Sequence, residues 1–219
     1  MKYTVAVLAA LSLSALSASA GTPVVAQTGK AVPAAMPSPA DPCATPISYN
    51  NVELLYAYTD WDDLNDHGNG GILRAEYSPF KNFYLALGAE YHEVSNVDIW
   101  AISGGIGTYV ELSENIHLAA DGGAVWYNYD AASTLGSSAN NGFEEDDWGW
   151  YVRPHIRAKW GCFEVHAGAQ YTKVDDLDID EWSGFLNLYY QISPGWDLTA
   201  GVSHSSERTT VTGGARYRF

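Results

Sequence analysis

The sequence predicts an all-β protein, a transmembrane antiparallel up-and-down β-barrel of ten strands, with eight as the alternative if one hairpin merges or is lost. Three observations carry this expectation. Apolar and polar residues alternate with period two through most of the chain after Pro46. Connections between the alternating stretches are short and long by turns, and large aromatic side chains gather at the stretch ends.

Composition agrees: 13% aromatic residues and 21 glycines in 219 residues suit strands and tight turns in one domain. Nothing after residue 20 approaches the ~20 apolar residues of a membrane helix, so a spanning chain must close as a barrel. The formal charge of -15 argues against nucleic acid and against electrostatic docking on an anionic membrane surface.

Residues 1–20 read as a secretory signal peptide, with Lys2 as the charged start and Ala18-Ser19-Ala20 as the cleavage site. Residues 21–46 are rich in Ala and Pro without hydrophobic period, and read as a flexible lead segment. The barrel is expected over residues 47–219.

Ten stretches follow, near the ~9 to 11 residues of a tilted transmembrane strand. The first, 48–59, puts Val52, Leu54, Tyr56 and Tyr58 outward and Glu53 inward; the second, 71–78, sets Leu73, Ala75 and Tyr77 against Arg74 and Glu76. After a turn over 79–82, Phe83, Leu85, Leu87, Ala89 and Tyr91 face out while Tyr84, Gly88, Glu90 and His92 face in. The fourth and fifth occupy about 98–112 and 116–127. In the sixth, 148–160, Trp148, Trp150, Val152, Pro154, Ile156, Ala158 and Trp160 oppose Tyr151, Arg153, His155, Arg157 and Lys159, a division that no helical period reproduces. Pro154 lacks a ladder donor and predicts a bulge. Stretches at 163–172, 182–192, 196–204 and 208–219 complete the set.

Short turns near Pro79, Ser113, Gly161 and Pro194 alternate with long connections over 60–70, 129–147 and 173–181, which places both chain ends on the short-turn side. Outward aromatics fall into two rings. Tyr77, Phe83, Trp160, Phe163, Tyr190, Trp196 and Phe219 adjoin the short turns, and Tyr58, Tyr91, Trp100, Trp126, Trp148, Tyr171 and Trp182 adjoin the long connections.

The inward set mixes signs. Glu76, Glu90, Glu111, Asp121 and Glu164 stand against Arg153, Arg157, Lys159, Arg216 and Arg218, with His92, His117, His155 and His166 among them. A charge left unpaired in a narrow lumen costs roughly 3 to 5 kcal/mol, so a paired network in a filled lumen or narrow pore is expected. The five cations are the residues expected to set any ion selectivity. Cys43 and Cys162 both fall on the short-turn side, and an even count in an exported chain favours one disulfide between them, with two free thiols as the alternative.

Three acidic clusters fall on the long connections: Asp60, Asp62, Asp63 and Asp66; Glu144, Glu145, Asp146 and Asp147; Asp175, Asp176, Asp178, Asp180 and Glu181. They read as solvated surface suited to contact outside the membrane. Asp63 and Asn65 lie in a fragment that partly resembles a calcium loop, but His67 stands where a third oxygen ligand is needed and Arg74 where a bidentate Glu is needed. No metal or cofactor is expected.

The chain ends Gly213-Gly214-Ala215-Arg216-Tyr217-Arg218-Phe219, with Val211, Gly213, Ala215, Tyr217 and Phe219 on one face. This closing strand resembles that of bacterial outer-membrane β-barrels of the small porin-like and opacity type. The resemblance implies residence in a Gram-negative-type outer membrane with the lead segment periplasmic, contact with outer-membrane lipid and lipopolysaccharide, and recognition of the Phe219 strand by the barrel assembly machinery. It also implies a non-enzymatic structural or surface-contact role, with passage of small solutes as a further expectation. His204-Ser205-Ser206 resembles the His-x-Ser pair of outer-membrane lipid A deacylases, which would make His204 a base and Ser206 a nucleophile. The pattern departs from that family at Glu207, where Asn is expected, and at Arg218, near the expected acidic member.

Overall fold

Alternation of this length can satisfy its backbone only by strand pairing, and the pairing closes on itself. The computed structural model describes residue 43 and residues 45–61, 66–94, 97–131 and 143–219, without the side chains of Asp66, Ala131, Phe143 and Glu144. The expected signal peptide and most of the lead segment lie outside the described residues.

Ten strands form: β1 Asn51–Trp61, β2 Asp66–Phe80, β3 Phe83–Val94, β4 Val97–Ser113, β5 Ile116–Ala131, β6 Phe143–Trp160, β7 Phe163–Val174, β8 Ile179–Ser193, β9 Trp196–His204 and β10 Arg208–Arg218. Each pairs antiparallel with the next, and β10 returns to β1 in a closed barrel. Asn51 faces Arg218 and Trp61 faces Arg208 across the closing seam, so both strand ends of the chain lie at the short-turn side, as the alternation of connections required. Ten strands are present, not eight.

Several boundaries differ from the sequence reading, and for one reason. Apolar alternation stops where the exterior stops being apolar, whereas the ladder continues as long as a neighbouring strand offers partners. β2 begins at Asp66 and runs through Pro79 to Phe80, with a register irregularity between Tyr77 and Phe80. β5 and β6 stay paired as far as Ala131 and Phe143. The long connections therefore shrink to 62–65, 132–142 and the turn at 175–178. Asp60, Glu145, Asp146, Asp147 and Asp180 consequently stand on strands rather than in loops. The bulge expected at Pro154 does not occur: Ala120 pairs with Pro154, and Val152 with Tyr171 and His155 with Gly168 keep one register past it. β1 begins at Asn51 rather than at 48, because residues 45–50 turn under the barrel.

The faces are as alternation predicts. Leu54, Leu87, Ile106, Leu118, Leu188 and Val211 form an exposed apolar middle band, with Leu54 67% exposed. Rings of aromatic contacts bound it. Near the short turns Phe163 meets Tyr190 with centroids 4.9 Å apart and Trp196 meets Tyr217 at 5.0 Å. At the other side Tyr91 meets Trp100 at 4.7 Å, and Tyr171 contacts both Trp150 and Trp182 at 5.2 Å. Ala158 is the exception on its strand, being outward in sequence parity yet buried.

Inside, space is made by glycine where a large side chain crosses. A Cβ on Gly107 would fall 2.1 Å from the Tyr84 ring, which lies over that glycine and donates from its hydroxyl to Asp121 at 3.0 Å. Gly107→Ala is therefore expected to destabilise the barrel by about 1–3 kcal/mol, seen as a lower urea midpoint after refolding. Gly184→Ala, with nothing within 4 Å of the added carbon, serves as the near-neutral control.

Candidate functional site

Among the described residues charged and hydrogen-bonding side chains gather in the lumen, where strand parity delivers them. Near the short-turn side Arg216 on β10 holds Glu164 of β7 through both terminal nitrogens, at 3.2 and 2.8 Å, and gives its Nε to Asp197 of β9 at 2.7 Å. Asp197 also accepts from Arg218 at 2.9 Å, and His166 contacts Glu164. The Tyr189 ring packs against the Arg216 guanidinium at 3.7 Å. Arg216 is 1% exposed, so its fork is fully committed to carboxylates in the manner that makes a buried guanidinium tolerable.

One layer further, Arg157 of β6 pairs with Glu76 of β2, which also accepts from Asn51 at 2.9 Å. Arg153 binds Asp121 at 2.9 Å, with His155 3.7 Å from the same carboxylate. Toward the long-connection side the pairs loosen. Arg74 lies 3.7 Å from Glu90, and Arg208 lies 3.4 Å from Glu181 with its guanidinium 5.1 Å from the Trp61 ring. A cavity of about 150 Å³ occupies this region, lined by Glu53, Arg74, Glu90, Arg153, Arg157 and Arg208 among others.

Below the ion pairs, residues 45–50 form a floor. Tyr49 stacks on Tyr109 at 4.1 Å and lies 4.1 Å from the Arg157 guanidinium, while Ile47 and Tyr49 are buried with Tyr84, Ala86, Tyr109 and Ala119. Burial holds the Tyr49 phenol well above the usual tyrosine range, against the opposing pull of Arg157. Thr45 accepts from Lys159 at 3.1 Å and from Arg218 at 2.8 Å. The segment begins at a Cys43–Cys162 disulfide with Cα atoms 4.6 Å apart, so the two thiols are paired. Closing a loop of 119 residues removes roughly 4 to 5 kcal/mol of unfolded-chain entropy on the chain-entropy account.

Of the residues singled out in the sequence, Arg153, Arg157, Lys159, Arg216, Arg218, Glu76, Glu90, Asp121 and Glu164 all meet in the lumen. Glu111 does not. It sits near the end of β4, 3.8 Å from Lys81 and half exposed, because β3 begins at Phe83 opposite Thr108 and only β5 remains beside it. The floor residues Thr45, Ile47 and Tyr49 went unread, as did Asp197 and Arg208, and Glu181, read as acidic loop surface, stands buried on β8. Parity alone finds Asp197, which alternates with outward Trp196 and Leu198.

Asp62, Asp63 and Asn65 lie outside the described residues, as do the side chains of Asp66 and Glu144. The exposed acids that are described act partly as acceptors for the aromatic ring beneath them. Asp98 accepts from Tyr91 at 2.8 Å, Asp146 from the Trp126 indole at 3.0 Å, and Asp180 from Tyr171 at 2.7 Å. Asp147 accepts from the backbone of Asp176 at 3.1 Å, which joins the second and third acidic clusters on one side of the rim, where Asp175 lies 3.3 Å from Lys173 and Asp178 holds a positive φ of 51° in the turn. His204 Nδ1, the atom an acidic partner would orient, lies 2.9 Å from Thr209 Oγ1, and Ser206 stands in the bend after β9.

No protein-family model matches the sequence, and no curated protein matches it. Among solved structures the chain is similar to the KdgM porin in complex with disordered oligogalacturonate, at 12% identity and a TM-score of 0.43, over 77% of this chain and 99% of that one. It is also similar to the N-terminal β-barrel domain of Pseudomonas aeruginosa OprF, at 10% identity and 0.42, over 78% and 98%. A third is Ail, the attachment invasion locus protein of Yersinia pestis, in complex with the heparin analogue sucrose octasulfate, at 15% identity and 0.42, over 77% and 96%. These likenesses concern barrel architecture alone.

The ion-pair network makes a specific demand on stability. Arg216→Met leaves Glu164 and Asp197 buried without their shared cation and is expected to cost roughly 3–5 kcal/mol, read as a shift of the urea unfolding midpoint. Adding Glu164→Leu removes one stranded carboxylate and recovers part of that loss.

Proposed function

We propose that this protein is an integral outer-membrane β-barrel with a non-enzymatic structural and surface-contact role, its short-turn side and lead segment periplasmic and its acidic rim outside. The observation that carries this reading is the exterior. A continuous apolar band between two aromatic rings surrounds a closed ladder with no free strand edge, and that combination is stable in a bilayer and costly in water. A soluble β-sandwich, the other class such alternation suits, would have to expose Leu54, Leu87, Ile106 and Leu118 to solvent.

Outer-membrane lipid and lipopolysaccharide are the partners of that band. The Phe219 strand, whose last backbone N–H donates to Asn50 at 3.1 Å, is the segment we assign to recognition by the barrel assembly machinery. The acidic strand ends are the surface offered to the exterior. Passage of small solutes is a second reading, favoured by the polar cavity and opposed by the floor at Tyr49. The lipid A deacylase reading has against it the engagement of His204 by Thr209.

A tag inserted between Gly136 and Ser137 is expected to react with a membrane-impermeant label in intact cells, and one near Lys30 only after permeabilisation. Recovery of the protein in the soluble fraction, or the reverse labelling, would remove the reading. Independently, Leu87→Arg in the middle of the apolar band is expected to cost about 2–4 kcal/mol in lipid vesicles, measured by urea titration, whereas a dispersed soluble barrel would scarcely register it.

A further inference from the structure

Among the described residues, one layer of chain separates the lumen cavity from the short-turn face. Residues 45–50 run from the Cys43–Cys162 disulfide, at the turn between β6 and β7, to Asn51 at the head of β1. In a ring of ten strands those anchors stand on opposite walls, so the segment crosses the floor as a strap. Arg157 lies between the cavity and the strap, lining the cavity above and packing on the Tyr49 ring at 4.1 Å. On the other side Thr45, Pro46 and Ser48 border an outer recess beside Arg218.

The strap is gripped by cations and offers them only neutral acceptors. Arg157 donates to the Ser48 carbonyl at 3.5 Å, and Lys159 and Arg218 donate to Thr45 Oγ1 at 3.1 and 2.8 Å. Residues 45–50 contain no carboxylate, so displacing them takes no negative charge away from a neutralised group and leaves these cations on the wall. Lys159 in particular is bonded to the oxygens of Thr45 and Gln191 rather than to an acid.

We propose that the barrel is a latent anion-selective pore whose gate is the strap of residues 45–50. Swinging the strap toward the short-turn face, with both ends still anchored, opens a path past Lys159, whose partners are neutral oxygens, beside Arg157 and Arg218, whose charges are met by Glu76 and Asp197. A fixed cation without a paired acid beside such a path favours anions over cations. The proposal rests on the membrane reading above.

The test uses the full chain refolded into planar bilayers, with insertion scored separately by the heat-dependent mobility of the folded barrel on SDS gels. The wild type is expected to be inserted and nearly silent. Tyr49→Ala and Cys43→Ser are each expected to raise open time about tenfold or more, with reversal potentials in a KCl gradient favouring chloride, and added Lys159→Gln lowers that preference. Cys43→Ser keeps every strap side chain, so it reports on the gate even where Tyr49→Ala fails to fold. Inserted barrels that stay silent in both variants, or a wild type as open as the variants, overturn the gate and leave the membrane reading standing. Steps that favour potassium overturn the anion preference. A wild type that does not insert removes the membrane reading and the pore with it.

Discussion

The pairing of β1 with β10 is the contact on which the rest depends. It joins residues nearly at opposite ends of the described chain, from Asn51 against Arg218 to Trp61 against Arg208, and it converts a sheet with two edges into a wall with none. Only after closure is there an inside, and only an inside makes the parity of Glu53, Arg216 and Arg218 meaningful. The same closure fixes the outside, since each strand has to present its apolar face in one direction around the ring.

Given that wall, the interior follows from electrostatics. Carboxylates and guanidinium groups that would be indifferent to one another in water are forced into pairs where solvent is scarce. The pairs tighten toward the short turns, where Arg216, Asp197, Glu164 and Arg218 leave little room, and loosen toward the long connections, where a cavity remains. The gradient explains why a lumen so rich in charge is not an open channel: the charges and the aromatic floor occupy it.

The architecture was legible in the sequence because period two is a strong signal when one face must be apolar. Facing follows from alternation, while strand count and the disulfide were expected with eight strands and two free thiols as alternatives until barrel closure and the Cys43–Cys162 bond decided them. Strand ends were not legible, since β5 and β6 continue into polar residues such as Asp130 and Glu145 that only a neighbouring strand holds in place. Nor was the floor. Thr45 to Tyr49 carry no period, and Tyr49 reads as one more strand aromatic until the ring of Tyr109 and the guanidinium of Arg157 show where it sits. The acidic surface was found but misjudged in part, because a carboxylate such as Asp146 or Asp180 that accepts from an indole or phenol looks in sequence like any other exposed acid.

The disulfide has a mechanical side as well. A closed ladder resists stretching along its circumference but bends readily, so lateral pressure can flatten a circular section into an oval without breaking a hydrogen bond. Cys43 fastened to Cys162, with the chain then running back to Asn51, is a spoke across that hoop. It limits how far one diameter can lengthen, and elongation along that axis is resisted at the short-turn rim while the opposite rim, which has no such tie among the described residues, remains free to breathe. The barrel is thus stiff at one mouth and compliant at the other, and shape changes imposed on the acidic rim need not reach the floor.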